Sequence, residues 1–125
     1  MLQQSPMYAY IPVKDVGRAR KFYEEKLGLT PGRTLEDGVT YEFGEHTAAF
    51  LYPTPNAGTS RASQAFWEVD DVPREVAELK ARGVVFEDYD TPDLKTVDGV
   101  YNGPGPKAAW FKDPDGNIMA IIERS

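Results

Sequence analysis

Residues 7–16 read "MYAYIPVKDV" and residues 63–72 read "SQAFWEVDDV". Laid over each other in one register, they place identical residues at Ala9 and Ala65, Val13 and Val69, Asp15 and Asp71, and Val16 and Val72, and two residues further on the same register matches Arg18 with Arg74. Each copy is an extended apolar and aromatic run that ends in an Asp suited to the N-cap of a helix. The chain therefore reads as one strand-to-helix unit used twice.

Working outward from the first copy, Val16, Ala19, Phe22, Tyr23 and Leu27 recur at helical spacing, with Arg18, Lys21, Glu24 and Glu25 between them. This predicts an amphipathic helix to about Leu27, stopped by Gly28. The stretch "TLEDGVTYEFGEHTAAFLYP" then alternates strand-like runs with turns at Asp37-Gly38 and Gly44-Glu45-His46, which predicts a three-stranded meander. After the second copy, Val72, Val76 and Leu79 form an apolar stripe, Pro73 sits in the first turn and Gly83 ends the helix. Then come "VVFEDY", a connection rich in Gly and Pro, "KAAWF", the turn "DPDGN" and a last strand, "IMAII". The expected fold class is α+β: two tandem β-α-β-β-β modules forming a curved mixed sheet around a cleft. Module 1 spans about 7–53, a Pro/Gly/Ser linker about 54–62, and module 2 about 63–124, within a single domain.

The 125 residues carry 14 Lys and Arg against 20 Asp and Glu, a formal charge of −6 that disfavours nucleic acid and anionic membrane as partners. With no cysteine there is no disulfide, thiolate nucleophile or Cys-based zinc site. No apolar run approaches membrane-spanning length, and no basic segment leads into an apolar stretch at Met1, so a cytoplasmic location is expected.

The duplicated module, with "IPVKDVGRARKFYEEKLGL" in the first half and "WFKDPDGNIMAI" closing the second, resembles the vicinal oxygen chelate superfamily, the glyoxalase, bleomycin-resistance and extradiol-dioxygenase group. The resemblance covers nearly the whole chain. It implies two modules around a cleft, often completed in a homodimer, with a divalent metal in the enzymes. Carried over position by position, it puts Tyr8 and Gln64 at the first-strand ligand positions of the two modules and Ala120 at the usual last-strand Glu. An Ala has no lone pair, a neutral Tyr is a poor donor, and Glu123 falls on the strand face opposite residue 120. His46, the one histidine, lies in an expected turn. No metal and no other cofactor is expected.

Alternation from those positions sends Tyr8, Tyr10 and Pro12, then Gln64, Phe66 and Glu68, then Ile118, Ala120 and Ile122 toward the cleft. Tyr41, Phe43, Phe50 and Tyr52 are candidate aromatic walls, and of the pair Trp110 and Phe111 the former is assigned to the cleft. The same residues would serve equally to fill a closed core. Glu68, beside aromatic neighbours, is a candidate acid or base, or the anchor of a cation; its alternative is a strand-end Glu that reaches solvent or pairs with a nearby Arg. The segment 90–107, "DTPDLKTVDGVYNGPGPK", is long for a connection and reads either as a lid or as a surface hairpin.

The leading reading is a metal-independent protein of the bleomycin-resistance type that binds an aromatic or cationic small organic molecule, as a homodimer. Its ligand-binding residues are Tyr8, Tyr10, Tyr41, Phe50, Gln64, Phe66, Glu68, Trp110 and Ala120. Rival readings are a metal-dependent lyase, isomerase or dioxygenase using Gln64, Glu68 and Glu42, a metal-free enzyme with Glu68 as acid or base, and a protein-interaction module whose cleft is filled.

Overall fold

Asp15 and Asp71 do the same work in both halves. The Asp15 carboxylate accepts from the Arg18 amide at 3.0 Å and the Asp71 carboxylate from the Arg74 amide at 3.1 Å, so each satisfies an otherwise free N–H in the first turn of a helix. These caps open α1 (Val16–Lys21) and α2 (Val72–Ala81). α1 runs on through a π-helical segment, Phe22–Lys26, in which the Leu27 amide reaches back to the Phe22 carbonyl. The structure, a computed structural model, describes residues 1–124.

Module 1 is a four-stranded sheet in the order β1-β4-β3-β2, made of β1 (Tyr8–Val13), β2 (Pro31–Leu35), β3 (Gly38–Glu42) and β4 (Ala48–Pro53). β1 pairs parallel to β4: the helix carries the chain across to β2, and two antiparallel steps through β3 bring β4 back beside β1. Module 2 has five strands, with β5 (Ser63–Val69) parallel to β9 (Ile118–Glu123), β8 (Ala108–Lys112) antiparallel to β9, and the short β6 (Thr96–Val97) and β7 (Val100–Tyr101) beyond it, in the order β5-β9-β8-β7-β6.

Two sequence expectations are corrected here. Residues 84–89 form no strand: Phe86 makes a single bridge to Phe111, and module 2 is completed by a short hairpin of β6 (Thr96–Val97) and β7 (Val100–Tyr101) within the segment read as a lid or surface hairpin. Its turn is Asp98-Gly99, both left-handed, and Asp88 Oδ1 pins it by accepting from Thr96 Oγ1 and the Gly99 amide, each at 2.8 Å. The first hairpin of module 1 turns at Glu36-Asp37, with Glu36 left-handed, and not at Asp37-Gly38. Gly38 lies inside β3, where a Cβ would meet the Leu51 carbonyl oxygen and the Phe50 ring, each at 2.5 Å.

One core serves both modules. Ile11, Val13, Val39 and Leu51 from the first sheet and Phe111, Met119 and Ile121 from the second are buried in one cluster with Tyr23 and Val76 from the helices. Fully burying a side chain of the Leu or Phe class stabilises by about 1.5–3 kcal/mol, so this shared cluster resists separation of the halves. Polar clasps add direction. Arg82, just past α2, donates to the Glu25 and Lys26 carbonyls at 2.8 and 2.9 Å, capping the C-terminal end of the first helix from the second module. The 113–117 turn provides the other clasp: Asn117 Nδ2 donates to the Pro12 carbonyl and to Asp113 Oδ2, each at 2.8 Å, while Asp115 Oδ1 accepts from the Lys14 amide at 3.0 Å.

Candidate functional site

Cross-strand pairing decides which residues share a face. In module 1 the rows Tyr8–Ala48, Tyr10–Phe50–Thr40 and Pro12–Tyr52 lie on the face turned away from the helices, because the alternate rows, Ala9–Ala49–Tyr41 and Ile11–Leu51–Val39, carry the core residues. In module 2 the row Phe66–Ala120–Trp110 and the row Glu68–Ile122–Ala108 lie on the corresponding face. No helix covers these surfaces: Tyr10 is 63 % exposed, Phe66 59 % and Tyr8 41 %.

Tyr10, Phe50 and Tyr52 form an aromatic group on module 1, with Tyr10 edge-on to Tyr52 at 4.9 Å between centroids and Phe50 stacked on Tyr52 at 6.3 Å and 8°. Gly38 makes this possible, since any side chain there would displace the Phe50 ring. Tyr8, Tyr10 and Phe50 line a concavity of about 340 Å³ together with Arg33, Leu35 and Thr40. On module 2, Trp110 meets Tyr89 edge-on at 5.7 Å, and burial, reinforced by the Glu87 carboxylate, raises the Tyr89 hydroxyl pKa, so it stays neutral.

The remaining assigned residues are placed differently. Tyr41 is a correction: its row faces the helices, it is 1 % exposed, and its hydroxyl donates to Glu24 Oε2 at 2.9 Å. It belongs to the core. Phe43 likewise turns inward, edge-on to Trp67 at 5.6 Å. Gln64 is the extra residue of a bulge between Ser63 and Ala65, and its Nε2 donates to the Tyr10 carbonyl at 3.0 Å. Its amide links the edge strands of the two sheets instead of forming a pocket wall. Ala120 stands on the open-face row but is buried between its neighbours Phe66 and Trp110. Glu68 is not desolvated: its side chain is 56 % exposed and pairs with Arg124 at 3.1 Å, which removes the ground for an acid or base role. The lone His46 occupies an exposed turn with φ 65.

Alternation along the sequence could not have found Arg33 and Leu35, because a register shift in β2 between Pro31 and Thr34 hides the parity of that strand, and Thr40 of β3 is missed because its neighbour Tyr41 is assigned to the cleft. Tyr89 was hidden because its segment carries no strand.

The donor set does not fit a catalytic divalent metal. The three positions carried over from the family hold a phenol, an amide already engaged and a methyl, and no group of three or more His, Cys, Asp or Glu side chains converges among the described residues. Among the same residues, no helix is long and apolar enough to cross a membrane.

Paired parallel-edge sheets, capped helices and an open aromatic face define a glyoxalase-type fold, and the comparison with known families agrees. The chain belongs to the Glyoxalase/Bleomycin resistance protein/Dioxygenase superfamily, whose family model matches residues 6–121. Among solved structures it is similar to TnmS3, an antibiotic binding protein from Streptomyces sp. CB03234, at 26 % identity over 100 % of this chain and 99 % of that one, with a TM-score of 0.72. A glyoxalase/bleomycin resistance protein from the same Streptomyces strain is also 26 % identical, over 94 % of this chain and 99 % of that one, with a TM-score of 0.68. Lactoylglutathione lyase from Agrobacterium tumefaciens, at 20 % identity, 96 % and 93 % coverage and a TM-score of 0.67, shares the fold. No curated protein matches the chain.

Proposed function

We propose that this protein binds a flat aromatic small molecule on its open sheet faces, without a metal and as a homodimer in which a second copy covers those faces. The observation that carries the reading is the exposed aromatic group of Tyr10, Phe50 and Tyr52 beside an uncovered concavity. Large rings left in water on a sheet face lose free energy that a stacked ligand or a second chain recovers. Arg33 in the same concavity favours a ligand with carbonyl, phenolate or carboxylate oxygens over a cation, since a guanidinium is a fixed positive donor. The similarity to a protein described as antibiotic binding supports sequestration as the biological role.

The test is calorimetric titration with 2-naphthoate and with 2-naphthylmethylammonium, on protein treated with chelator, together with its mass by light scattering. Saturable naphthoate binding by a dimer, weakened about tenfold or more in Phe50→Ala, is the expected result. Binding that appears only after a divalent metal is restored would overturn the metal-free reading. Equal affinity for both probes would remove Arg33 from the argument.

A further inference from the structure

A second cavity lies apart from the concavity of Tyr8, Tyr10 and Phe50. It measures about 480 Å³ and lies between the modules, where Ala9, Ala49 and Ala65 meet Trp67 and Met119. Ala9 and Ala49 are cross-strand partners on the helix-facing side of the first sheet, and Ala65 and Trp67 share the corresponding side of β5. Small side chains thus stand on both walls at one level, and the space between them is left unfilled. The cavity opens to solvent past Met7 and Phe66, and clefts of roughly 300–1,000 Å³ are those that hold small ligands.

The walls are fixed in advance. Trp67 stacks on Phe111 at 6.2 Å and 11° and meets Phe43 edge-on, so its indole has a defined position. At the mouth stands the turn 44–47, where Glu45 and His46 are successive non-glycine residues in the left-handed region, with φ of 56° and 65°. Thr47 holds that turn through its hydroxyl to the Gly44 carbonyl at 2.9 Å and its carbonyl to the Phe43 amide at 2.8 Å. Backbone held in this region by surrounding bonds is concentrated at functional positions.

The electrostatics of the mouth are one-sided. Arg124 is already shared by Asp70 at 2.8 Å and Glu68 at 3.1 Å. Its pKa is raised, first by the hydrogen bond to Asp70, with Glu68 and then Glu45 adding through space. Glu45 itself has no ion-pair partner among the described residues. Three carboxylates around one guanidinium leave an excess of negative charge over an apolar chamber. We infer that this inter-module cavity, whose rim reaches Ala48, Phe66 and Glu68, is a second binding site, distinct from the concavity of Tyr8, Tyr10 and Phe50, for an organic cation with an apolar body: the body against Trp67 and the alanines, the charge beside Glu45.

The two tryptophans make the inference testable, because Trp67 lines this cavity and Trp110 lies on the open face. Benzyltriethylammonium is titrated into ¹⁵N-labelled protein, with benzenesulfonate as control, and the two indole N–H signals are followed after assignment with Trp67→Phe and Trp110→Phe. The expected result is a saturable shift of the Trp67 signal only, absent with the sulfonate. Ala9→Leu, which fills the chamber, should weaken binding at least tenfold. Glu45→Gln, on an exposed turn that leaves packing untouched, should weaken it about two- to fivefold, the size of an exposed ion pair. A shift confined to Trp110 would mean that the cation sits on the open face and would overturn the second site while leaving open-face binding intact. No shift of either signal, or an unchanged response in both variants, would overturn it as well; naphthoate binding is unaffected by these outcomes.

Discussion

Tyr23, in the helix of module 1, donates its hydroxyl hydrogen to Asp113 Oδ2 of module 2 at 2.7 Å, with both residues buried. Asp113 is the first residue of the turn that precedes the last strand. Its other oxygen accepts from the Asp115 and Asn117 amides, each at 2.9 Å, so one carboxylate shapes its own turn and fastens it to the opposite module. A buried carboxylate is tolerable only when its lone pairs are filled in this way.

Tyr23→Phe should therefore destabilise the chain by about 1.5–3 kcal/mol, the range for a hydrogen bond to a charged group. Asn117 Nδ2 still bonds Asp113 Oδ2, which keeps the loss from being larger. Urea unfolding measures it as a lower midpoint with an unchanged slope.

Alkaline pH should act on the same contact. Burial raises the Tyr23 pKa above its ordinary value of 10.0, with Asp113 adding to it, and burial followed by the Glu24 hydrogen bond raises that of Tyr41. Below pH 10 both states are protonated and the contribution is complete. Above it the unfolded chain releases protons that the native chain retains, so stability falls as pH rises. Melting temperatures recorded from pH 8 to 11 should drop at the upper end, and the drop should shrink in the double variant Tyr23→Phe, Tyr41→Phe.

Gly38→Ala tests the aromatic face. The new methyl would meet the Leu51 carbonyl oxygen and the Phe50 ring, so a cost of about 1–3 kcal/mol is expected, together with weaker naphthoate binding as Phe50 moves. A variant as stable as the parent, with unchanged affinity, would show that Phe50 is free to shift.

Glu68→Gln should do little. Glu68 is exposed and its partner Arg124 keeps Asp70, so thermal stability should change by no more than about 0.5 kcal/mol. Abolition of any catalytic turnover by this variant, with binding retained, would restore Glu68 as an acid or base.

Much of this was legible in the chain itself. The repeated run ending in Asp15 and Asp71 announced two capped helices, and the caps are there because a short carboxylate before a helix has a free amide within reach. Alternation along β1 separated Tyr8 and Tyr10 from Ile11 and Val13 correctly, since the period of a strand is local. The segment 90–107 reads as a lid or a surface hairpin without a placed turn, although Val97 and Val100 flank the turn-forming pair Asp98-Gly99 that closes the observed hairpin.

What composition and period could not supply was register. Tyr41 and Phe50 look alike in the sequence, yet pairing with Ala49 turns the first into the core and pairing with Tyr10 turns the second outward. A strand's inner and outer faces are set by the neighbour it bonds to, and a single bulge, as at Gln64 or in β2, resets the count. Glu68 met Arg124 for the same reason, across 56 residues of chain. The sequence by itself determined the duplicated modules, their caps and turns, because those arise from contacts within a few residues. Only the tertiary structure decided which aromatic rings face outward, which carboxylates are paired and where the inter-module cavity opens, because each of these depends on strands that are distant in the chain and adjacent in the fold.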